Sequence, residues 1–299
     1  MAFKFSDAFY SQYETEGYVI FKGIVPGSLV NDLRTALAPV EEYITVTPPI
    51  NKRGNKRKQK PNPRRYGALR AYIHLIPDLA PLKEYYALSD LMDAIKKITA
   101  QDCNYGSLNT LDILRSINTN VFSTPWHRDF LRTPGVDGSP TFQEIIDLTE
   151  KEPGFYHQYN FALYREQSLW YVPGSYGRPN TKDEESFEWH AQRARRAEQN
   201  KLLPTPVDLE KAYLAEARSM PGAIEMNLEA GDFALYRNNG WHKGNTLPYQ
   251  KRLTFHDEVH NPAFDQYMDR LFRKGNNGEP RHPVEWDTTS PWEPLQTAT

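Results

Sequence analysis

His127 and Asp129, a histidine and an aspartate two positions apart, are the first residues in this sequence that suit a reactive site. In an extended segment, side chains two positions apart point to the same side. An imidazole and a carboxylate on one side can bind one divalent metal ion. The triplet alone is weak evidence, because it occurs often by chance, and a surface turn is the alternative interpretation.

A second histidine, His242, follows the turn Gly231–Asp232 and the apolar segment 233–236. A hairpin at this point would bring His242 back toward His127 and Asp129. Two histidines and one carboxylate form a facial ligand set that leaves three positions open, and this set is typical of iron(II) oxygenases. The alternatives are a loop histidine in solvent and a zinc hydrolase that uses the same three ligands.

The third chemical element is Arg252, ten residues beyond His242, on a predicted final strand at 251–256. A planar guanidinium suits a bidentate grip on a carboxylate. 2-Oxoglutarate chelates a metal through its keto-acid end, so its distal carboxylate needs such a cation. A surface ion pair is the alternative, and a hydrolase would leave Arg252 without a purpose.

Short strands are the elements that must position these residues. The predicted strands are rich in β-branched and aromatic residues and are separated by turn signals. They cover 111–122, 158–164, 168–172, 223–228, 232–237 and 250–259. Many short strands with glycine and proline punctuation predict a sandwich or barrel. A polar stretch at 183–219, rich in Ala, Glu and Arg, predicts a helical insertion between strands.

Helices are predicted to precede these strands. The first covers 7–16 and ends at Gly17, and a strand follows at 18–21. A second helix begins near Ser28, and Pro39 is expected to end or kink it. One long helix is predicted from Leu82 to Thr99.

Length and composition favour one catalytic domain over 1–299. We divide it into a flank at 1–110, a core at about 111–260 and a C-terminal extension at 261–299. The net charge of -2 gives no global field for nucleic acid or a membrane. No apolar run approaches the roughly 20 residues of a membrane span. The single cysteine, Cys103, excludes an internal disulfide, so we expect a cytoplasmic protein. The sequence does not indicate an oligomeric state.

A basic loop at 51–65 carries eight lysines and arginines among prolines. The first interpretation is a solvated loop. The second is a segment that folds over an anionic or carrier-linked substrate.

Two further motifs connect these residues to a known family. Leu169-Trp170-Tyr171-Val172-Pro173-Gly174-Ser175 resembles the start of an L-x-x-x-P-G-S-H strand and turn, and Gly17-Tyr18 opens a strand before a long helix. With the metal-binding motif, this order from about 8 to 260 resembles the phytanoyl-CoA dioxygenase family of iron(II)/2-oxoglutarate oxygenases. Tyr176 stands where the family often has histidine, at a turn position away from the metal.

The resemblance implies a mainly β fold with flanking helices, a double-stranded β-helix (jelly roll, cupin-like). It implies iron(II) bound by His127, Asp129 and His242, with 2-oxoglutarate held by Arg252 and O2 as the second co-substrate. The expected reaction oxidises a C–H bond of a small molecule and releases succinate and CO2. Related halogenases lack the carboxylate, so Asp129 favours hydroxylation, desaturation or ring closure over halogenation.

The alternatives are the same chemistry on nucleic acid or protein, and an inactive cupin-like binding protein. The near-neutral charge counts against nucleic acid, and the presence of all four key residues counts against an inactive scaffold.

Other residues are candidates for the walls of the site. Gln158 and Asn160 alternate on one strand face and could contact 2-oxoglutarate, with ordinary strand polarity as the alternative. Five residues that flank the ligands or lie on nearby strands could form a substrate pocket, or could simply be core or structural residues. They are Trp126, Phe130, Tyr164, Trp241 and His256.

Overall fold

A computed structural model describes most of the chain. The described residues are 3–46, 65–66, 69–99, 103–105, 108, 110–116, 121–129, 142–187, 189–202, 205–246 and 249–267. The predicted basic loop, apart from Arg65, lies outside them. Phe130 and the predicted C-terminal extension beyond 267 also lie outside them.

Helices and strands succeed one another in a fixed order along the described residues. The order is α1 (Asp7–Glu16), β1 (Tyr18–Phe21), α2 (Gly27–Val46), β2 (Arg65–Tyr66), α3 (Ala80–Tyr86), α4 (Ser89–Ile98), β3 (Asn104–Tyr105), β4 (Asp112–Arg115), β5 (Phe122–Ser123), α5 (Phe142–Lys151), β6 (Tyr156–Ala162), β7 (Glu166–Tyr171), α6 (Lys182–Glu185), α7 (Trp189–Leu202), α8 (Pro206–Ser219), β8 (Ile224–Leu228), β9 (Phe233–Tyr236), β10 (His242–Thr246) and β11 (Leu253–His260). Short 3₁₀ helices cover Leu69–Leu75 and Ser175–Gly177.

The strands form two antiparallel sheets. The larger sheet has the order β1-β9-β6-β11-β4-β2, with β3 also pairing with β11. The smaller sheet has the order β5-β10-β7-β8. Two antiparallel sheets with flanking helices confirm the predicted mainly β class. None of the helices in the described residues is long and apolar enough to cross a membrane.

The two faces of the larger sheet have different neighbours. Phe161, Phe233 and Phe255 lie on one face and are buried in the same cluster as the apolar faces of α2, α3 and α4. Tyr85 of α3 stacks on Phe161 with ring centroids 5.0 Å apart. Because alternate strand residues point to opposite faces, Tyr236 of this sheet points the other way. It packs with apolar residues of the smaller sheet, so part of the interior between the two sheets is an apolar cluster.

The N-terminal elements follow local signals closely. Ser6 caps α1, and Gly17 ends it in the left-handed conformation at φ 79°. The predicted strand at 18–21 is confirmed as β1. The second helix does not end at Pro39, which was one of the two predicted outcomes, since α2 continues to Val46. The buried apolar face of α2, which includes Leu33, Leu37 and Val40, stabilises the helix beyond the single backbone hydrogen bond that proline removes.

The predicted single helix at 82–99 is two helices. Leu88 is extended, at φ -64° and ψ 103°, and separates α3 from α4. The buried residues Leu82 and Tyr85 lie on one face of α3, and Leu91 and Ile95 lie on one face of α4. In one continuous helix the six-residue step from Tyr85 to Leu91 would place these two pairs on different faces, so the buried pattern fits two helices.

Three helices, α6, α7 and α8, lie between β7 and β8, in the segment for which the sequence predicts a helical insertion. Other boundaries differ from the prediction. The segment 111–122 contains β4 and the start of β5, and α5 and the strand β10 were not predicted. The final strand begins at Leu253, so Arg252 immediately precedes it.

Candidate metal centre

His127 and His242 face each other across two antiparallel segments. The His127 N–H donates to the His242 carbonyl at 3.1 Å, and the His242 N–H donates to the His127 carbonyl at 3.0 Å. Residues paired in this way project their side chains to the same side of a sheet. The two imidazole rings accordingly lie 4.2 Å apart between centroids.

Asp129 completes the predicted group of three. Its N–H donates to the Asn238 carbonyl at 2.9 Å, which fixes the backbone two residues after His127. The carboxylate lies 3.7 Å from His127 Nε2 and 3.9 Å from His242 Nε2. The three potential ligand atoms lie within 4.8 Å of one another. Two imidazoles and a carboxylate at this separation fit one divalent cation.

Backbone carbonyls set the tautomers of both histidines. His127 Nδ1 lies 2.8 Å from the Pro125 carbonyl, and His242 Nδ1 lies 2.9 Å from the Gly240 carbonyl. A carbonyl oxygen only accepts, so each Nδ1 carries the proton and each Nε2 keeps a lone pair for a metal. Burial and the neighbouring His127 lower the pKa of His242 to about 4. The His242 imidazole is therefore neutral at neutral pH, as metal binding requires.

Gln158, predicted to contact 2-oxoglutarate, lines the cavity beside Asp129. Its Nε2 donates to Asp129 Oδ2 at 2.8 Å, and Asn238 Nδ2 donates to the same oxygen at 3.0 Å. Gln158 Oε1 accepts from the Tyr236 hydroxyl at 3.0 Å. With its amide used in this way, Gln158 orients the carboxylate of the group. Sequence reasoning missed Asn238, although it continues the Tyr236 face of β9 toward His242.

Arg252 is buried immediately before the first residue of β11, where its partners fix the position of the guanidinium. One nitrogen lies 2.5 Å from the carboxylate of Glu166, and two others donate to the hydroxyls of Thr246 and Thr254 at 3.3 Å. The Thr254 hydroxyl also donates to Glu166. A guanidinium has five N–H donors, so three such contacts leave two for a ligand. No pattern in the sequence pointed to Glu166, because it lies in a different strand, β7, and in the other sheet.

One cavity of about 510 Å³ joins the three candidate ligands to Arg252. Asn160 and His256 also line it, with Asn160 Oδ1 2.8 Å from His256 Nδ1. These two residues face each other directly in the register of β6 and β11. His127, Asp129 and His242 were predicted as metal ligands, and Arg252 was predicted separately. All four line the same cavity.

Three of the predicted pocket aromatics lie outside the cavity lining, while Phe130 lies outside the described residues. Trp126 and Trp241 belong to a buried cluster with Trp170 and Phe187, and neither is among the described residues that line the cavity. The reason is strand alternation: each tryptophan precedes a ligand histidine, so it points to the opposite face. Tyr164 is also outside the cavity lining, half-buried between the cations of Arg34 at 4.2 Å and Lys251 at 4.3 Å.

Comparisons with known proteins give matches to solved structures only. No protein-family model matches the chain, and no curated protein matches it. The structure of EvdMO1 matches with a TM-score of 0.54 and 15% identity, over 85% of this chain and 49% of that one. The chain thus spans about half the length of EvdMO1.

Two further structures have printed cofactors or activities. HygX from Streptomyces hygroscopicus, with nickel and 2-oxoglutarate bound, matches with a TM-score of 0.52 and 17% identity, over 86% of this chain and 88% of that one. SnoK, a non-haem α-ketoglutarate-dependent carbocyclase from nogalamycin biosynthesis, matches with a TM-score of 0.50 and 14% identity, over 86% and 85%. At these identities the similarity is one of fold.

Proposed function

We propose that this protein is an iron(II)- and 2-oxoglutarate-dependent oxygenase that oxidises a C–H bond of a small molecule. The observation that supports this most directly is the single cavity shared by His127, Asp129, His242 and Arg252. The nickel and 2-oxoglutarate bound to HygX, a protein of similar fold, support the same pair of cofactors here.

We infer that the strands β4 to β11 form a jelly roll. Four of them, β4, β6, β9 and β11, belong to the larger sheet, and the other four form the smaller one. The chain crosses between sheets at almost every step, as the double-stranded β-helix requires. Membership of the phytanoyl-CoA dioxygenase family stays a prediction from the sequence motifs.

Each residue of the site has a defined task in this proposal. His127, Asp129 and His242 would hold iron(II), which with 2-oxoglutarate and O2 supplies the oxidising power for the reaction. Gln158 and Asn238 keep the Asp129 carboxylate in place. Arg252 binds the distal carboxylate of 2-oxoglutarate through its two remaining N–H donors. Asp129 occupies the third ligand position, which favours hydroxylation or another C–H oxidation over halogenation.

The dimensions of the cavity favour a small substrate. A volume of about 510 Å³ falls within the range of small-molecule sites. 2-Oxoglutarate would occupy the part of the cavity between the candidate ligands and Arg252. The substrate would then approach from the side on which His127 and Asp129 are partly exposed. SnoK, with a similar fold, is a carbocyclase, so the reaction on this substrate is proposed only as C–H oxidation. An anionic substrate group is proposed from the basic loop alone.

Visible spectroscopy under anaerobic conditions tests the proposal. Iron(II) is added to the metal-free protein, followed by 2-oxoglutarate, and a weak charge-transfer band is expected when the keto acid chelates the iron. His242→Ala should abolish the band, and Arg252→Ala should require a much higher 2-oxoglutarate concentration. Arg165→Ala is the matched control, since Arg165 is an exposed arginine paired with Glu229 at the surface.

The outcomes separate the rival functions. Iron binding without a band would contradict the role of 2-oxoglutarate and favour a metal hydrolase. No binding of any divalent ion would favour the inactive scaffold. A band followed by 2-oxoglutarate-dependent succinate release in air would support the oxygenase.

A further inference from the structure

Gln192, a fully buried residue on α7 of the helical insertion, binds the backbone of Trp126 at both polar groups. Its Oε1 accepts from the Trp126 N–H at 2.8 Å, and its Nε2 donates to the Trp126 carbonyl at 2.8 Å. One side-chain amide thus pairs with both backbone groups of the residue that precedes the candidate ligand His127.

These two bonds fix two peptide planes with direct consequences for His127. The Trp126 N–H is in one plane with the Pro125 carbonyl, which accepts from His127 Nδ1 at 2.8 Å. The Trp126 carbonyl is in one plane with the His127 N–H, which donates to His242 at 3.1 Å. The first plane sets the tautomer and orientation of the imidazole, and the second sets its pairing with the other histidine.

The backbone groups of Trp126 pair with a side chain, and not with a neighbouring strand, because of where this segment lies in the smaller sheet. β5 is the edge strand of the smaller sheet, and the chain continues from it directly to His127. An edge strand has backbone groups with no neighbouring strand to pair with. An apolar residue at 192 would fill the same space but leave those buried groups of Trp126 without these partners.

Other residues of the insertion hold the same region. Arg196 donates to the carbonyls of Ser123 at 2.6 Å and Thr124 at 2.8 Å, and its Nε lies 3.0 Å from Glu216. Glu216 in turn lies 3.4 Å from the amine of Lys243, the neighbour of His242. The insertion therefore contacts the chain beside both histidines.

We propose that Gln192 is a positioning residue for His127, and that the helical insertion thereby sets the affinity of the metal centre. The inference rests on the proposed function for the existence of that centre. Groups that orient metal ligands from outside the coordination sphere typically change metal affinity 10–100-fold when they are removed.

The test is the Kd for cobalt(II), titrated into metal-free protein and followed by visible absorption. Gln192→Met keeps the size of the side chain and loses both hydrogen bonds to Trp126, together with the one that Gln192 Nε2 donates to the Phe187 carbonyl. We expect its Kd to rise about 10–100-fold. Thr205→Ala is the matched control, because it removes the side-chain cap at the start of α8 and leaves the contacts of Gln192, Arg196 and Glu216 beside the two histidines in place. Its Kd should equal that of the wild type although its thermal midpoint falls.

A second measurement separates positioning from plain stability. The tautomer of His127 in the metal-free protein, from nitrogen chemical shifts, should be Nδ1–H in the wild type and mixed in Gln192→Met. If the methionine variant does not fold, Gln192→Asn replaces it, since its amide is too short to reach both groups.

Three results would overturn the inference. An unchanged Kd in the Gln192 variant is one, an unchanged His127 tautomer is another, and an equal loss in Thr205→Ala is the third. Failure of the wild type to bind cobalt(II) would instead count against the proposed function.

Discussion

The guanidinium of Arg252 lies 2.5 Å from the carboxylate of Glu166, and the Glu166 side chain has no solvent exposure. The cation proposed to bind 2-oxoglutarate therefore already has a buried counter-ion. Burying a lone guanidinium is costly, so Glu166 stabilises Arg252 in its place before any ligand arrives. A carboxylate bound by Arg252 would therefore share the guanidinium with the carboxylate of Glu166.

Substitution of Glu166 should change the affinity for 2-oxoglutarate. In Glu166→Ala the guanidinium loses its fixed orientation, and we expect the Kd of 2-oxoglutarate to rise about tenfold, as for loss of one charged hydrogen bond. Glu166→Gln keeps an acceptor and should stay within about threefold of the wild type. Titration of the charge-transfer band measures both, with iron affinity as the control. Tighter binding by the glutamine variant would show that Glu166 competes with the co-substrate.

Substitutions of Asp129 and of Gln158 should reduce activity and metal affinity to different extents. Asp129→Ala removes a proposed ligand and should abolish C–H oxidation. Gln158→Leu leaves the carboxylate with Asn238 as its remaining side-chain donor, so activity and metal affinity should fall 10–100-fold. Succinate release and metal titration measure these effects. Full activity in Asp129→Ala would disprove the ligand assignment, and a silent Gln158→Leu would disprove the orienting role.

The metal-free protein should become less stable as the pH falls from about 6.5 to about 4. The pKa of His242 is about 4 in the folded protein and near 6.5 in the unfolded chain, so the unfolded chain binds the extra proton in this range. The loss from His242 is a few kcal/mol at most. Urea unfolding at several pH values measures it.

His242→Gln is the control for this pH dependence. Its decline should be shallower than that of the wild type but still present, because burial also holds the pKa of His157 well below its usual range. Identical slopes in the two proteins would contradict the assignment to His242.

Substitutions of Trp126 and of Tyr164 should lower the stability of the protein to different extents, because Trp126 lies in a buried cluster and Tyr164 is half-buried. Trp126→Ala leaves a cavity in a buried cluster and should destabilise the protein by about 3–5 kcal/mol. Tyr164→Ala should cost much less, since this ring lies half-buried between two cations. Thermal unfolding measures both. A stable Trp126→Ala protein with altered binding of small molecules would restore the pocket interpretation.

The four residues proposed to bind iron(II) and 2-oxoglutarate were predictable from the sequence alone. The two-residue spacing of His127 and Asp129, the later His242 and the arginine ten residues beyond it predicted four residues that the structure brings into one cavity. Local signals also determined α1 and β1, because capping and turn residues act within a few positions of the chain.

The residues that surround these four depend on how distant segments of the chain pack in the fold. Trp126 was predicted to line the pocket, and the pairing of His127 with His242 turns it to the opposite face. Gln158, Glu166 and Gln192 acquire their roles from partners 29, 86 and 66 positions away in the chain. Such contacts depend on sheet register and on the docking of a helix against an edge strand, and no local pattern in the sequence records either.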